Sequence, residues 1–188
     1  MTRIIGGAAG GRRIATPKGV QTRPTSDRVR EALFSALESW AGSLHDLRFL
    51  DLYAGSGAIG LEAWSRGATA VTLVESDRRT AALVASNARE LGFADAEVIA
   101  ASASSVLAGR PRSAYDVVFA DPPYPLDEEA LAHDLALLAA NGWLAPGGLV
   151  VVERARRSPE PVWPVGVALL REKKYGETRL WYAEATEG

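Results

Sequence analysis

Between Arg48 and Glu153 short apolar runs alternate with amphipathic stretches, and this alternation restricts the fold more than any other feature of the chain. Phe49–Tyr53, Ala70–Val74, Glu97–Ala100, Tyr115–Ala120 and Gly148–Glu153 read as strands; Ala58–Arg66, Arg78–Leu91, Ser104–Ala108 and Glu128–Ala140, lying between them, read as helices. Strands that are apolar along their whole length need cover on both faces. The expected architecture is therefore an α/β fold of Rossmann-like type, with a mostly parallel sheet between helical layers. The final third departs from this rhythm. Val167–Glu172 and Thr178–Ala183 flank Lys173-Lys174-Tyr175-Gly176-Glu177, which predicts an antiparallel hairpin closing the sheet edge and bringing the strand count to seven.

Ahead of the alternating region, Arg3-Ile4-Ile5 and Arg12-Arg13-Ile14 bracket a glycine- and alanine-rich turn, so a short β-hairpin arm is expected at the N-terminus. Pro17 and Pro24 punctuate the linker that follows, and Thr25 or Ser26 can cap a helix whose apolar face is Val29, Leu33, Phe34 and Leu37. The chain divides on this reading into an arm and linker over 1–24 and a main domain over 25–188. A length of 188 residues, 47% of them hydrophobic, suits one sizeable core.

Absent cysteine excludes disulfides and thiolate metal sites, and His45 and His133 lie far apart without a partnering carboxylate motif, so no metal centre is expected. The apolar stretch Leu135–Leu144 is interrupted by Asn141-Gly142 and followed by Pro146, well short of a membrane span, and no signal-peptide pattern opens the chain. A cytoplasmic location is the corresponding expectation. The net charge of −2 conceals an asymmetry: residues 1–30 carry Arg3, Arg12, Arg13, Lys18, Arg23, Arg28 and Arg30 against Asp27 alone, which leaves 14 of the 21 bases and 22 of the 23 acids for the remainder. Such an arm either meets polyphosphate or is a solvated surface segment, and composition does not separate the two.

Gly55-Ser56-Gly57-Ala58-Ile59-Gly60 follows the first strand of the alternating region and opens its first helix. Glycine is needed there for a tight turn at positive φ and for a ligand to approach bare amides at a helix start. With Glu75 at the end of the next strand, the pattern fits a dinucleotide site and an adenosyl site alike. Asp51 favours the second. A carboxylate near the end of the first strand would repel a pyrophosphate but suits the cationic methionine end of S-adenosylmethionine, while Glu75 suits paired ribose hydroxyls. The loop residues Ala54, Gly55 and Gly57 complete that cradle, and Ser102 with Ala103, after the third strand, are candidates for the adenine end.

Asp121-Pro122-Pro123-Tyr124 comes directly after the apolar strand Tyr115–Ala120, at the edge where ligands collect in open α/β sheets. The exocyclic amine of a nucleobase is a poor nucleophile because its lone pair is delocalised into the ring. Acceptors that take its N–H bonds, here the Asp121 carboxylate and the Pro122 carbonyl, favour the pyramidal nitrogen and aim its lone pair. The prolines stiffen the backbone and offer no competing N–H, and Tyr124 presents a face on which an unstacked base can lie. The five tryptophans, with His45 and His133, read as packing or surface residues rather than base platforms.

Taken together, Arg48 to Tyr124 resembles a class I S-adenosylmethionine-dependent methyltransferase. Arg3-Ile4-Ile5-Gly6-Gly7, Gly11-Arg12-Arg13-Ile14 and the run Thr22-Arg23-Pro24-Thr25-Ser26-Asp27-Arg28-Val29-Arg30-Glu31-Ala32-Leu33-Phe34, with the Lys173-Lys174-Tyr175-Gly176 hairpin, are similar to the RsmD family. That resemblance implies methyl transfer to N2 of a guanine in 16S ribosomal RNA, with an assembled or nearly assembled 30S particle as partner. It places Asp51 and Gly55 at the cofactor's methionine, Glu75 at its ribose and Asp121 to Tyr124 at the target guanine. It also casts Arg3, Arg12, Arg13, Lys18 and Arg23 as RNA-binding, and leaves open whether Arg28 or Arg30 faces the cofactor or RNA. Ser102 stands where relatives often carry a longer polar side chain, so adenine recognition rests more on main-chain groups. The competing readings are a DNA adenine-N6 methyltransferase, a non-catalytic RNA-binding assembly factor and a nicotinamide-dependent oxidoreductase.

Overall fold

The structure is a computed structural model, which describes residues 2–18, 26–123 and 126–186. Its elements run β1 (Thr2–Arg3), β2 (Arg13–Ile14), α1 (Asp27–Ala41), β3 (Arg48–Asp51), α2 (Ala58–Ser65), β4 (Ala70–Glu75), α3 (Arg78–Glu90), β5 (Glu97–Ala100), α4 (Ala103–Leu107), β6 (Tyr115–Ala120), α5 (Glu128–Ala140), β7 (Leu144–Ala155), β8 (Val167–Tyr175) and β9 (Thr178–Ala185).

The sheet order is β5-β4-β3-β6-β7-β9-β8. β5 through β7 are parallel and β9 is antiparallel to both neighbours, as the sequence leads one to expect. Because strand order reverses between β3 and β6, a crevice opens at the carboxyl ends of those two strands. β7 is longer than its apolar run suggests: it begins at Leu144, which pairs with Tyr115 before a register shift, and resumes regular pairing at Leu149 opposite Val117. β8 likewise absorbs Lys173-Lys174-Tyr175 into the strand, leaving Gly176-Glu177 as the loop.

Helix α1 starts at Ser26, whose hydroxyl accepts the Val29 N–H at 3.2 Å, and buries Val29, Leu33, Phe34 and Leu37. One sheet face packs against α1, α2 and α3 around Phe34, Phe49, Leu61 and Val84, the other against α4 and α5 around Leu107, Leu131, Leu135 and Trp143. Each fully buried aliphatic or aromatic side chain of this kind contributes about 1.5 to 3 kcal/mol. Trp64 stacks on Phe93 with ring centroids 4.7 Å apart and Trp143 lies parallel to Tyr115, both in packing roles.

The arm shares the first of these cores: Ile4, Ala9 and Ile14 are buried in the same cluster as Phe34 and Phe49. Glu62, fully buried on α2, accepts the N–H groups of Ile5 at 2.8 Å and Gly6 at 2.9 Å. Ser65 Oγ accepts the Ala9 N–H, and Asn87 on α3 both receives the Ala15 N–H and donates to the Ala15 carbonyl. β1 and β2 hold only two residues each, so helix side chains take up arm N–H groups that the short ladder leaves over.

Candidate active site

The register of β4, β3, β6 and β7 brings four carboxyl groups to one rim. Asp51 ends β3 opposite Leu73 and Phe119, and Glu75 ends β4. Ala120 pairs with Val152, so Asp121 and Glu153 are the next residues on adjacent parallel strands. The loops at 51–60 and 121–123, distant in sequence, therefore meet at the topological switch point.

Asp51 is 1% exposed. Its Oδ2 accepts the Gly60 N–H at 3.0 Å, and its Oδ1 is buried with no hydrogen-bond partner. Burial pushes its carboxyl up to about 7; the Gly60 N–H opposes that rise, and the nearby Glu75 and Glu153 add to it. Asp51 thus combines the helix-capping role with an unused acceptor. Gly57 precedes α2 at φ 88, and a Cβ on Gly60 would sit 2.6 Å from Leu73 Cδ2, so neither position accommodates a side chain.

Glu75 supports the same loop. Its Oε1 accepts the Gly55 N–H at 3.1 Å and its Oε2 the Asp77 N–H at 2.7 Å, which leaves a lone pair on each oxygen for further donors. The Ala54 N–H is tied to the Val74 carbonyl. Ser102, exposed, caps α4 by accepting the Ser105 N–H at 3.2 Å, and Ala103 is buried behind it. The Ser102 hydroxyl is thus already used within its own helix start.

Asp121 is half-buried, with Pro122 buried and Pro123 exposed beside it; Tyr124 lies outside the described residues. Burial drives the Asp121 carboxyl well above the usual carboxylate range, a hydrogen bond and like charge from Glu153 and the charge of Asp51 push the same way, and Arg154 opposes them.

Sequence reasoning passed over a second polar group, which links the loop after β3 to α4 and α5. Tyr53 donates to Asp134 on α5 at 2.6 Å, and Ser104 on α4 donates to the other Asp134 oxygen at 2.6 Å. Burial and the Asp134 carboxylate hold the Tyr53 hydroxyl firmly protonated. Glu153 was passed over as well. The only local signal for it is an acid ending an apolar strand, the feature that singled out Glu75.

The basic arm divides into distinct roles. Arg3 and Arg13 are direct cross-strand partners and both exposed, and the Asp27 carboxylate lies 3.8 Å from Arg3 Nε. They line an open hollow of about 380 Å³ with Thr2 and Asp27. Arg12 donates to the Glu90 carbonyl at 2.7 Å and so ties the arm to α3. Lys18 and Arg28 are exposed, and Arg23 lies outside the described residues. Arg30 is fully buried: it donates to the Arg3 carbonyl at 2.6 Å and to Asp27 at 2.9 Å, with its Nε 3.8 Å from Glu62. It is part of the arm's fastening, closed to solvent.

A cationic amino acid end suits the unpartnered Asp51 Oδ1, and vicinal hydroxyls suit Glu75, so the residues present fit an adenosylmethionine molecule.

The family described as conserved hypothetical protein 95 matches residues 2–184. The chain is similar to the ribosomal RNA small subunit methyltransferase D of Escherichia coli, 40% identical over 185 residues that make up 97% of this chain and 90% of that one. The Haemophilus influenzae protein of the same name is 38% identical over 93% of this chain and 89% of its own. Among solved structures, the putative methyltransferase yhhF from Escherichia coli superposes with a TM-score of 0.88 at 36% identity, covering 100% of this chain and 99% of that chain.

Proposed function

Because the chain belongs to the RsmD family of small-subunit ribosomal RNA methyltransferases, we propose that it methylates the exocyclic N2 of a guanine in 16S ribosomal RNA, on an assembled or nearly assembled 30S particle. It is an S-adenosylmethionine-dependent methyltransferase. The observation that supports the site assignment best is the placement of Asp51 and Asp121 at the ends of adjacent strands on one rim.

The cofactor supplies an electrophilic methyl group on a sulfonium when bound. Asp51 and the loop at 55–57 would hold its methionine end, and Glu75 its ribose. Asp121 and the Pro122 carbonyl each accept one N–H of the target amine, which orients the nitrogen lone pair and stabilises the charge that develops on nitrogen. Tyr124 is assigned the face of the extruded base. Arg3, Arg13 and Lys18, exposed on the arm side, are assigned to phosphates of the surrounding RNA, with Arg23 beside them in sequence. Such a substrate places the enzyme in the cytoplasm, and among the described residues no helix is long and apolar enough to cross a membrane.

The decisive experiment is transfer of labelled methyl groups to 30S subunits and to naked 16S rRNA from a strain lacking this protein, followed by nucleoside mass spectrometry. N2-methylguanosine, formed on the particle, is the expected product. N6-methyladenosine in a parallel reaction on duplex DNA, with none of the expected product on the particle, or tight RNA binding with no incorporation, would replace the proposal with one of its rivals.

A further inference from the structure

The acidic rim extends one strand beyond Asp121. Glu153 follows Val152 as Asp121 follows Ala120 in the parallel register, and it is 8% exposed. The Asp121 and Glu153 carboxyl groups therefore lie side by side, close enough to act on each other. Two ionised carboxylates side by side repel and have no proton with which to bond, whereas one shared proton would join them.

Several charged groups among the described residues surround the pair. Asp51 approaches from β3 with Glu75 beyond it, both acidic. Arg154, next on β7, is held by Glu128 and the Leu126 carbonyl from the α5 side. On β9 the register partner of Glu153 is Leu180, and the adjacent Arg179 stacks over Trp181 and reaches Glu172. Among these described groups acids outnumber bases, and one proton shared between Asp121 and Glu153 relieves the repulsion. Burial and like charge both raise Asp121, consistent with that sharing.

We propose that Glu153 is a positioning residue for the transfer: its protonated carboxyl group donates to one Asp121 oxygen, leaves the other Asp121 oxygen for the target amine, and the pair takes up the proton that the nitrogen sheds. The inference rests on the methyl-transfer reading of the site. In the step, the N–C bond forms as the C–S bond breaks and its electron pair leaves with sulfur. The nitrogen then carries one proton too many, and that proton passes to the ionised Asp121 oxygen. The pair now holds two protons, and one returns to water.

The test uses full-length protein with Glu153→Gln, which keeps a donor of similar size but does not titrate, and Glu153→Ala, which removes it. In wild type, carboxyl ¹³C NMR across a pH series should show two coupled resonances with one titrating above the ordinary carboxylate range. Glu153→Gln should leave Asp121 as a single, lower-titrating group. In methyl transfer to 30S subunits, Glu153→Gln should move the acid limb of the pH profile to lower pH at a plateau several-fold below wild type. Glu153→Ala should lose roughly 10²-fold in kcat with cofactor affinity unchanged. An active wild type whose two carboxyls titrate independently, or variant profiles that superimpose on wild type, overturns the inference alone. A shared-proton titration in a protein that transfers no methyl group defeats the underlying methyl-transfer reading, and the proton uptake with it.

Discussion

Asp51→Asn separates electrostatics from packing at the cofactor site. Asparagine retains an oxygen for the Gly60 N–H, now at 3.0 Å from Asp51 Oδ2, but replaces the unpartnered Oδ1 with an NH₂ donor. Losing a hydrogen bond to a charged group costs about 1.5 to 3 kcal/mol, so S-adenosylhomocysteine, which keeps the amino acid end, should bind roughly 10- to 150-fold more weakly. The wild-type carboxyl sits at about 7 in the free protein. Below that pH a cation must displace a proton, so affinity should rise with pH by up to about tenfold per unit and level off above about 7. The variant should lack this slope.

The same group makes an opposite prediction for the fold. Its folded value is raised from 3.8, so its contribution to stability is complete below about 3.8 and is lost as pH rises through about 7. The loss amounts to about 4 kcal/mol by pH 8. Ligand-free Asp51→Asn should therefore be more stable than wild type at about pH 8, with the gap closing toward about pH 4. Titration calorimetry and urea melts from about pH 5 to about pH 8.5 measure both. Wild-type affinity with an unchanged pH slope in the variant would refute the assignment of Asp51 to the cation. No gain in stability at high pH would refute the burial argument.

Asp121→Ala should reduce methyl transfer by about 10²- to 10⁴-fold while leaving S-adenosylhomocysteine binding largely intact, read by single-turnover rates beside calorimetry. Equal turnover would remove Asp121 from the chemistry. Arg3→Ala with Arg13→Ala should lower the slope of log affinity against log salt for 30S subunits by about 1.4 to 1.8, with no change in melting temperature because both side chains are exposed. An unaltered slope would return the arm's arginines to a solvent role. Glu62→Leu should cost about 3 to 5 kcal/mol in urea unfolding, since it strands buried Arg30 and the Ile5 and Gly6 amides; a cost below about 1 kcal/mol would mean that the arm is not held this way.

Much of the fold was legible because its signals are local. The parallel core follows from apolar runs spaced by amphipathic helices, and the turn at 55–60 from glycines that a strand-to-helix corner requires. Ser26 could be read as a cap for the same reason. The start of β7 at Leu144 was not legible, because pairing with Tyr115 across an irregular register recruits it.

The site divides along the same line. Asp51, Glu75 and Asp121 stand at strand ends beside turn residues, so residue type and spacing alone mark them as candidates for ligand contact. Their convergence on one rim, and the partner that Asp121 finds in Glu153, depend on strand order and register. The arm's arginines look alike in one dimension; only three-dimensional packing buries Arg30, ties Arg12 to Glu90 and leaves Arg3 and Arg13 exposed, Arg3 beside Asp27. Backbone turns and periodicity are short-range consequences of side-chain shape, whereas burial and pKa are set by whichever distant groups the completed fold brings within a few ångströms.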